Sequence, residues 1–177
     1  FLQKTLRRQF SEPVVFWTLL SVFLGTNLFH YTTRDMGMSH VYSFELVSFL
    51  VWHVPNFYEK PSVKNALLLG AAFGWLTLIR PTNALVGFYV FLFNVYSFSE
   101  LIERFRFWAG QTKLLLLIAA AGIVFWIPQM WYWYEMTGVW FRYSYTDEGF
   151  IYWKNPKIAE VLFDTQNGLF VYTPMAF

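Results

Sequence analysis

Ionisable side chains are scarce in this 177-residue chain, 14% of the total, and those that could do chemistry gather at the ends of its apolar runs. Arg34 and Asp35 stand side by side between two such runs, with His30 and His40 flanking them. Arg80 closes the apolar stretch 66–79 and is followed by Pro81, Thr82 and Asn83. A later polar and aromatic stretch carries Tyr143, Tyr145, Asp147 and Glu148. Two arginines beside acidic groups are suited to an anionic phosphate, because the planar guanidinium fork meets two phosphate oxygens at once. A neighbouring carboxylate can take a proton or orient a substrate. The candidate acid is Asp35, and the candidate substrate-binding residues are Arg80, Arg34, His40, Asn83, Tyr143, Tyr145, Asp147 and Glu148. The same residue types also serve a plainer purpose: Arg34 and Arg80 can snorkel to lipid headgroups with Asp35 neutralising one of them. The spacing alone leaves both readings open.

The other ionisable groups say less. Glu45 lies five residues beyond His40, ~7 Å deeper along a helix rising 1.5 Å per residue; it either lines a polar cleft or reaches an interface. His53 reads as an interface residue. His30, His40 and His53 have no zinc spacing and no His-Glu-x-x-His motif exists, so no cofactor is identified and metal binding has no support. The absence of cysteine rules out a disulfide framework or thiolate site.

What positions these residues is a hydrophobic scaffold. Apolar residues make up 56% of the chain and Phe, Trp and Tyr 23%, the balance of a bilayer protein with aromatic rings at its interfaces. The net charge of +2 is small and the basic residues fall in short clusters between apolar runs, which argues against nucleic acid as a partner. Membrane helices are expected at 13–31, 39–54, 62–79, 82–97 and 112–134, the second being the most polar. Ser11 is the expected N-cap of the first, with Pro13 in its first turn. Segments three and four must form a tight hairpin through Arg80-Pro81. Gly70 and Gly74, at small-xxx-small spacing, predict close helix packing.

The short loops expected to hold Lys4, Arg7, Arg8, Lys60, Lys64, Arg104, Arg106 and Lys113 lie on one side and those with Arg34 and Arg80 on the other. Basic residues mark the cytoplasmic side. Residues 99–111 are therefore expected as an inner loop, and the Arg34 and Arg80 turns as facing outward with everything after Trp133. The run Trp131 to Tyr134 reads as an aromatic belt, with sugar stacking as a secondary use. Residues 135–174 form an expected outer loop. Within it Asn155-Pro156 opens a short amphipathic helix to about Phe163, and Gly168 acts as a stop. Residues 175–177 begin a further apolar run, and Phe1 in place of an initiator Met suggests a piece of a longer protein. The fold class is thus an all-α, polytopic transmembrane bundle with an outer loop carrying a short helix.

Several short motifs add a resemblance. Tyr-Thr-Thr-Arg-Asp-Met at 31–36, Ile-Arg-Pro-Thr-Asn at 79–83, Ile-Pro-Gln at 127–129 and Tyr-Ser-Tyr-Thr-Asp-Glu-Gly-Phe at 143–150 occur in an order similar to that of the GT-C membrane glycosyltransferases. The likeness is greatest to bacterial members resembling protein O-mannosyltransferases and aminoarabinose transferases. It implies a polyprenyl-phosphate sugar as donor and an inverting transfer to a hydroxyl of an acceptor protein or glycan. It further implies a bacterial inner-membrane location with the active face in the periplasm and membrane lipids as surroundings. By this resemblance Asp35 matches an acidic residue of the active-site cavity and Arg80 the basic residue that holds the donor phosphate, while the principal catalytic acid would lie upstream of Phe1. The alternatives are a transporter or flippase of a lipid-linked glycan, or a structural membrane subunit.

Overall fold

The computed structural model describes residues 1–142, 154–166 and 168–173, and among them every regular element is helical. The chain opens with α1 (Leu2–Leu6), α2 (Glu12–Leu24) and α3 (Leu28–Thr33), then enters α4 (Ser39–Glu59) and α5 (Val63–Ile79). A 3-10 turn, Pro81–Leu85, leads into α6 (Val86–Leu92), followed by α7 (Phe98–Gly110) and α8 (Thr112–Thr137). Two short helices, α9 (Ile158–Phe163) and α10 (Leu169–Tyr172), complete the order.

The core forms where α4, α5 and α8 meet. Leu50, Val54 and Phe57 of α4 are buried against Ala66, Leu69, Ala72 and Leu76 of α5, with Trp108 of α7 and Leu114 of α8 closing one end. α4 and α5 run antiparallel, since His53 Nε2 near the end of α4 sits 3.0 Å from the carbonyl of Asn65 near the start of α5. α5 and α8 run in the same direction and touch backbone to backbone. A Cβ on Gly70 would collide with the Ile118 carbonyl, and one on Gly74 would lie 2.5 Å from Gly122 Cα. Only glycine permits that approach, which is the close packing that small-xxx-small spacing provides. Thr77 and Trp126 extend the seam, the indole N–H donating to Thr77 Oγ1 at 3.2 Å.

Outside this core the surface is strongly apolar. Trp17 of α2, Leu85 of the 3-10 turn, Phe88 of α6 and Leu116 and Trp131 of α8 are each about 60–70% exposed. Among the described residues one helix, α8, is both long and apolar enough to cross a membrane; α2, α5 and the segment Pro81–Leu92 are apolar but shorter.

Several expected bounds change. The segment expected at 13–31 is broken at Gly25, because Thr26 turns its hydroxyl back onto the Val22 carbonyl and α3 restarts at Leu28. Ser11 does stand at the N-cap of α2, without a side-chain cap bond. α4 runs through Pro55 to Glu59 instead of stopping at 54. The run expected at 82–97 ends at Leu92, where Phe93 turns extended and Asn94 takes a left-handed φ of 58°. The expected inner loop 99–111 is instead α7. Its start is fixed by a capping box in which Ser97 Oγ accepts from the Glu100 N–H and the Glu100 carboxylate accepts from the Ser97 N–H. At the far end, the N-cap of α9 is Lys157 and not Asn155, and Gly168 caps the start of α10 instead of stopping α9.

Candidate functional site at the Arg80 end

The sequence itself dictates the backbone at Arg80. A residue before proline is driven out of the helical region, and Arg80 takes φ −149° and ψ 122°, ending α5 where Pro81 begins the 3-10 turn. Ending a helix leaves carbonyls without partners. Asn83 reinforces this end: the Leu76 carbonyl, which accepts from the Arg80 N–H at 3.3 Å, also accepts from the Asn83 side-chain amide at 3.0 Å, and that amide donates to Ser43 Oγ on α4, also at 3.0 Å. Because a carbonyl only accepts, the amide nitrogen must be the atom facing Leu76. Asn83 therefore clamps the end of α5 to the start of α4. Its N–H also donates to the Arg80 carbonyl at 2.9 Å, so the main chain around Arg80 is held at both ends.

The clamp brings the start of α4, and with it the α3–α4 turn, to the same end of the bundle as Arg80. In that turn the Arg34 and Asp35 N–H groups both donate to the His30 carbonyl, and the Asp35 carbonyl accepts from Met38. His40 stacks on Tyr31 with ring centroids 5.0 Å apart, and Tyr42 Oη donates to the Met36 carbonyl at 3.1 Å. The backbone here is well tied, yet the charged side chains are not. Among the described residues the ion pairs are Arg7 with Glu12 and Lys157 with Glu160; none takes up Arg34, Asp35, Glu45 or Arg80. Asp35 is thus not the short-range counter-ion that its adjacency to Arg34 suggests. Arg80 is half-buried and Arg34 exposed.

The opposite end is built differently. Arg104 of α7 lays its guanidinium 3.7 Å from the Tyr58 ring centre and donates to the Phe93 carbonyl. Tyr58 Oη donates to the Val90 carbonyl at 2.8 Å, and Trp108 stacks on Phe57 at 5.6 Å and on Phe91 at 6.0 Å. Here the Glu100 carboxylate is held below its usual pKa, first by the Tyr96 N–H and then by the groups of Ser97. Arg8 also reaches this end, donating to Asn56 Oδ1 at 2.7 Å.

Of the residues expected to form a site, the structure gathers Arg34, Asp35, His40, Arg80 and Asn83 at one end, with Asn83 in a structural clamp. Tyr143, Tyr145, Asp147 and Glu148 lie outside the described residues. His53 is buried in the core and stacked on Phe49 at 5.1 Å, not at an interface. Ser43, Thr77 and Trp126 were not singled out from the sequence. They position the Arg80 turn and the aromatic end of α8 through single hydroxyl contacts that periodicity does not reveal. Comparison with protein-family models, with curated proteins and with solved structures finds no match.

Proposed function

We propose that this chain forms part of a polytopic membrane glycosyltransferase of GT-C type that uses a polyprenyl-phosphate sugar at the outer face of the membrane. The observation that carries the reading is the gathering of Arg34, Asp35, His40 and Arg80 at one end of an apolar bundle, with no ion pair among the described residues to neutralise them. Charge at the edge of hydrocarbon is costly unless it is paired or occupied by a ligand. A phosphate bound between Arg80 and Arg34 meets that requirement.

The bilayer setting is supported by α8, which is long and apolar enough to cross it, and by large apolar side chains that face outward. Such exposure is rare on a protein surrounded by water. On this reading α2, α4, α5 and the segment Pro81–Leu92 add the other crossings. The placement of basic residues supports the orientation: Arg8, Lys60, Lys64, Arg104 and Lys113 belong to the end opposite Arg80, as expected of a cytoplasmic end.

In the reaction, an acceptor hydroxyl oxygen bonds to the anomeric carbon from the side opposite the phosphate, and the carbon–oxygen bond to phosphate breaks. The hydroxyl proton passes to a carboxylate base. Negative charge grows on the departing lipid phosphate, where fixed guanidinium groups bind the transition state more tightly than the ground state. Asp35 orients the acceptor or the arginines. Transfer from a purified lipid-linked donor by the full-length protein tests the reading. Asp35→Asn should cut turnover sharply with normal expression and folding; unchanged turnover would return Asp35 to the role of a surface charge.

A further inference from the structure

α7 divides its surface into three stripes. Leu101, Arg104 and Trp108 face the bundle, where Trp108 is buried and Arg104 half-buried. Ser99, Glu103, Arg106 and Gly110 form an exposed polar stripe at i, i+4, i+7 and i+11. Phe98, Ile102, Phe105 and Ala109 repeat the same spacing on a second exposed stripe, and it is wholly apolar. Phe98 is 76% and Phe105 57% exposed. This apolar stripe continues onto Phe88 and Leu92 of α6 across a cleft of about 440 Å³ lined by Ala84, Gly87, Phe91, Leu101 and Phe105.

We infer that α7 is an interfacial helix that lies in the plane of the membrane and sinks Phe98, Ile102 and Phe105 among the lipid chains of one leaflet. Three features of the molecule select lipid as the occupant. Gln111 alone separates α7 from Thr112, the first residue of the helix able to cross a membrane, so the end of α7 is fixed at the depth where that crossing starts. The polar stripe stands beside the apolar one, with Glu103 and Arg106 able to remain in water and headgroups while the rings sink, the arrangement of a helix at an interface. The neighbouring apolar residues of α6 extend the same surface, as a shared lipid contact requires. The 13-residue length suits a helix lying on the bilayer, being too short to span it. This inference rests on α8 crossing the membrane, and is independent of glycosyl transfer.

The chain has no cysteine, so single cysteines can carry a spin label without background. Full-length protein in vesicles of phosphatidylethanolamine and phosphatidylglycerol would be labelled at Phe98, Ile102 and Phe105, at Ser99, Glu103 and Arg106, and at Ile123 in the middle of α8. Collisions with oxygen, which concentrates in lipid, are compared with collisions with a water-soluble nickel chelate. We expect oxygen to dominate at 98, 102 and 105 and the nickel chelate at 99, 103 and 106, with a several-fold swing between the stripes. Nickel access at all six positions, with Ile123 deep in lipid, would overturn the inference alone. Low access to both reagents at 98, 102 and 105 would assign that stripe to a protein partner and likewise overturn it. Nickel access at Ile123 would remove the membrane crossing itself, and the inference with it.

Discussion

The two ends of the bundle each hold arginine near apolar surface, and they treat it in opposite ways. At one end Arg104 is laid on the face of Tyr58 of α4, lies 5.9 Å from the Phe107 ring centre of α7 and donates to the Phe93 carbonyl. At the other, Arg80 has a main chain held by Pro81 and Asn83, while none of the ion pairs among the described residues reaches its side chain. Arg104 is satisfied by the fold. The main chain of Arg80 is positioned by the fold, and on the reading proposed above its side chain serves a ligand. An arginine whose backbone is fixed but whose guanidinium is open is preorganised for a ligand, because little ordering remains to be done on binding.

The strongest way to break this comparison is to separate the helices that join the two ends. Gly74→Leu would place a side chain against the Gly122 backbone, which cannot move aside as a side chain can. We expect a loss of roughly 3 kcal/mol or more, in the upper range for overpacking, read as a lower unfolding midpoint in detergent. Gly87→Ala is the contrasting case, since its Cβ would meet only the Phe73 ring edge at 3.2 Å and should change stability little.

Arg104→Ala sharpens the comparison directly. It removes a cation over an aromatic face and a charge-assisted hydrogen bond, so stability should fall by about 2 kcal/mol with turnover per folded molecule unchanged. Arg80→Ala should do the reverse, with stability within about 0.5 kcal/mol of wild type, as for a surface change that breaks no named contact. If Arg80→Ala destabilises as much as Arg104→Ala, the two ends are equivalent and the contrast fails.

The smallest effect concerns Glu100. Its folded pKa lies below the unfolded value of about 4.3, so its contribution is fully present above that value and is lost as pH falls through the folded pKa. Acid fraying of the first turn of α7, followed by amide exchange at Glu100 and Leu101, should therefore set in below about pH 4.3. Glu100→Gln, which keeps the shape but cannot titrate, should abolish that acid step.

Much of the scaffold could be read from residue order, and the parts that could not have definite causes. Helix α5 was legible because both its ends carry strong local signals, Ser62 capping the start through the Asn65 N–H and Arg80-Pro81 forcing the stop. The glycine seam was legible as a tendency to pack closely, although its partner, α8, was not, since spacing on one helix says nothing about which neighbour fills it. α7 was missed because its charges read as loop. The Ser97-x-x-Glu100 capping box and the repeated i, i+4, i+7 stripes were present and would have disclosed it. The break after α2 and the early end of α6 come from local turns at Gly25 and Asn94 that apolar composition hides. At the candidate site, Arg80 and Asp35 could be nominated by residue type. The Asn83 clamp could not, because Ser43 lies forty residues away and only tertiary packing brings it within 3.0 Å.

The most direct measurement of the central contrast is the thermal stabilisation of the full-length protein by a soluble short-chain prenyl phosphate. A ligand that binds only the folded state raises its stability in proportion to the logarithm of ligand concentration over Kd. The account predicts a clear rise in unfolding temperature for wild type and an equal rise for Arg104→Ala from a lower starting point. For Arg80→Ala it predicts a rise that is small or absent, and for Arg80→Lys an intermediate one, because a single ammonium replaces the two-pronged guanidinium. An undiminished rise in Arg80→Ala would contradict the account, since the phosphate would then be held elsewhere and Arg80 would be an anchor at the membrane surface.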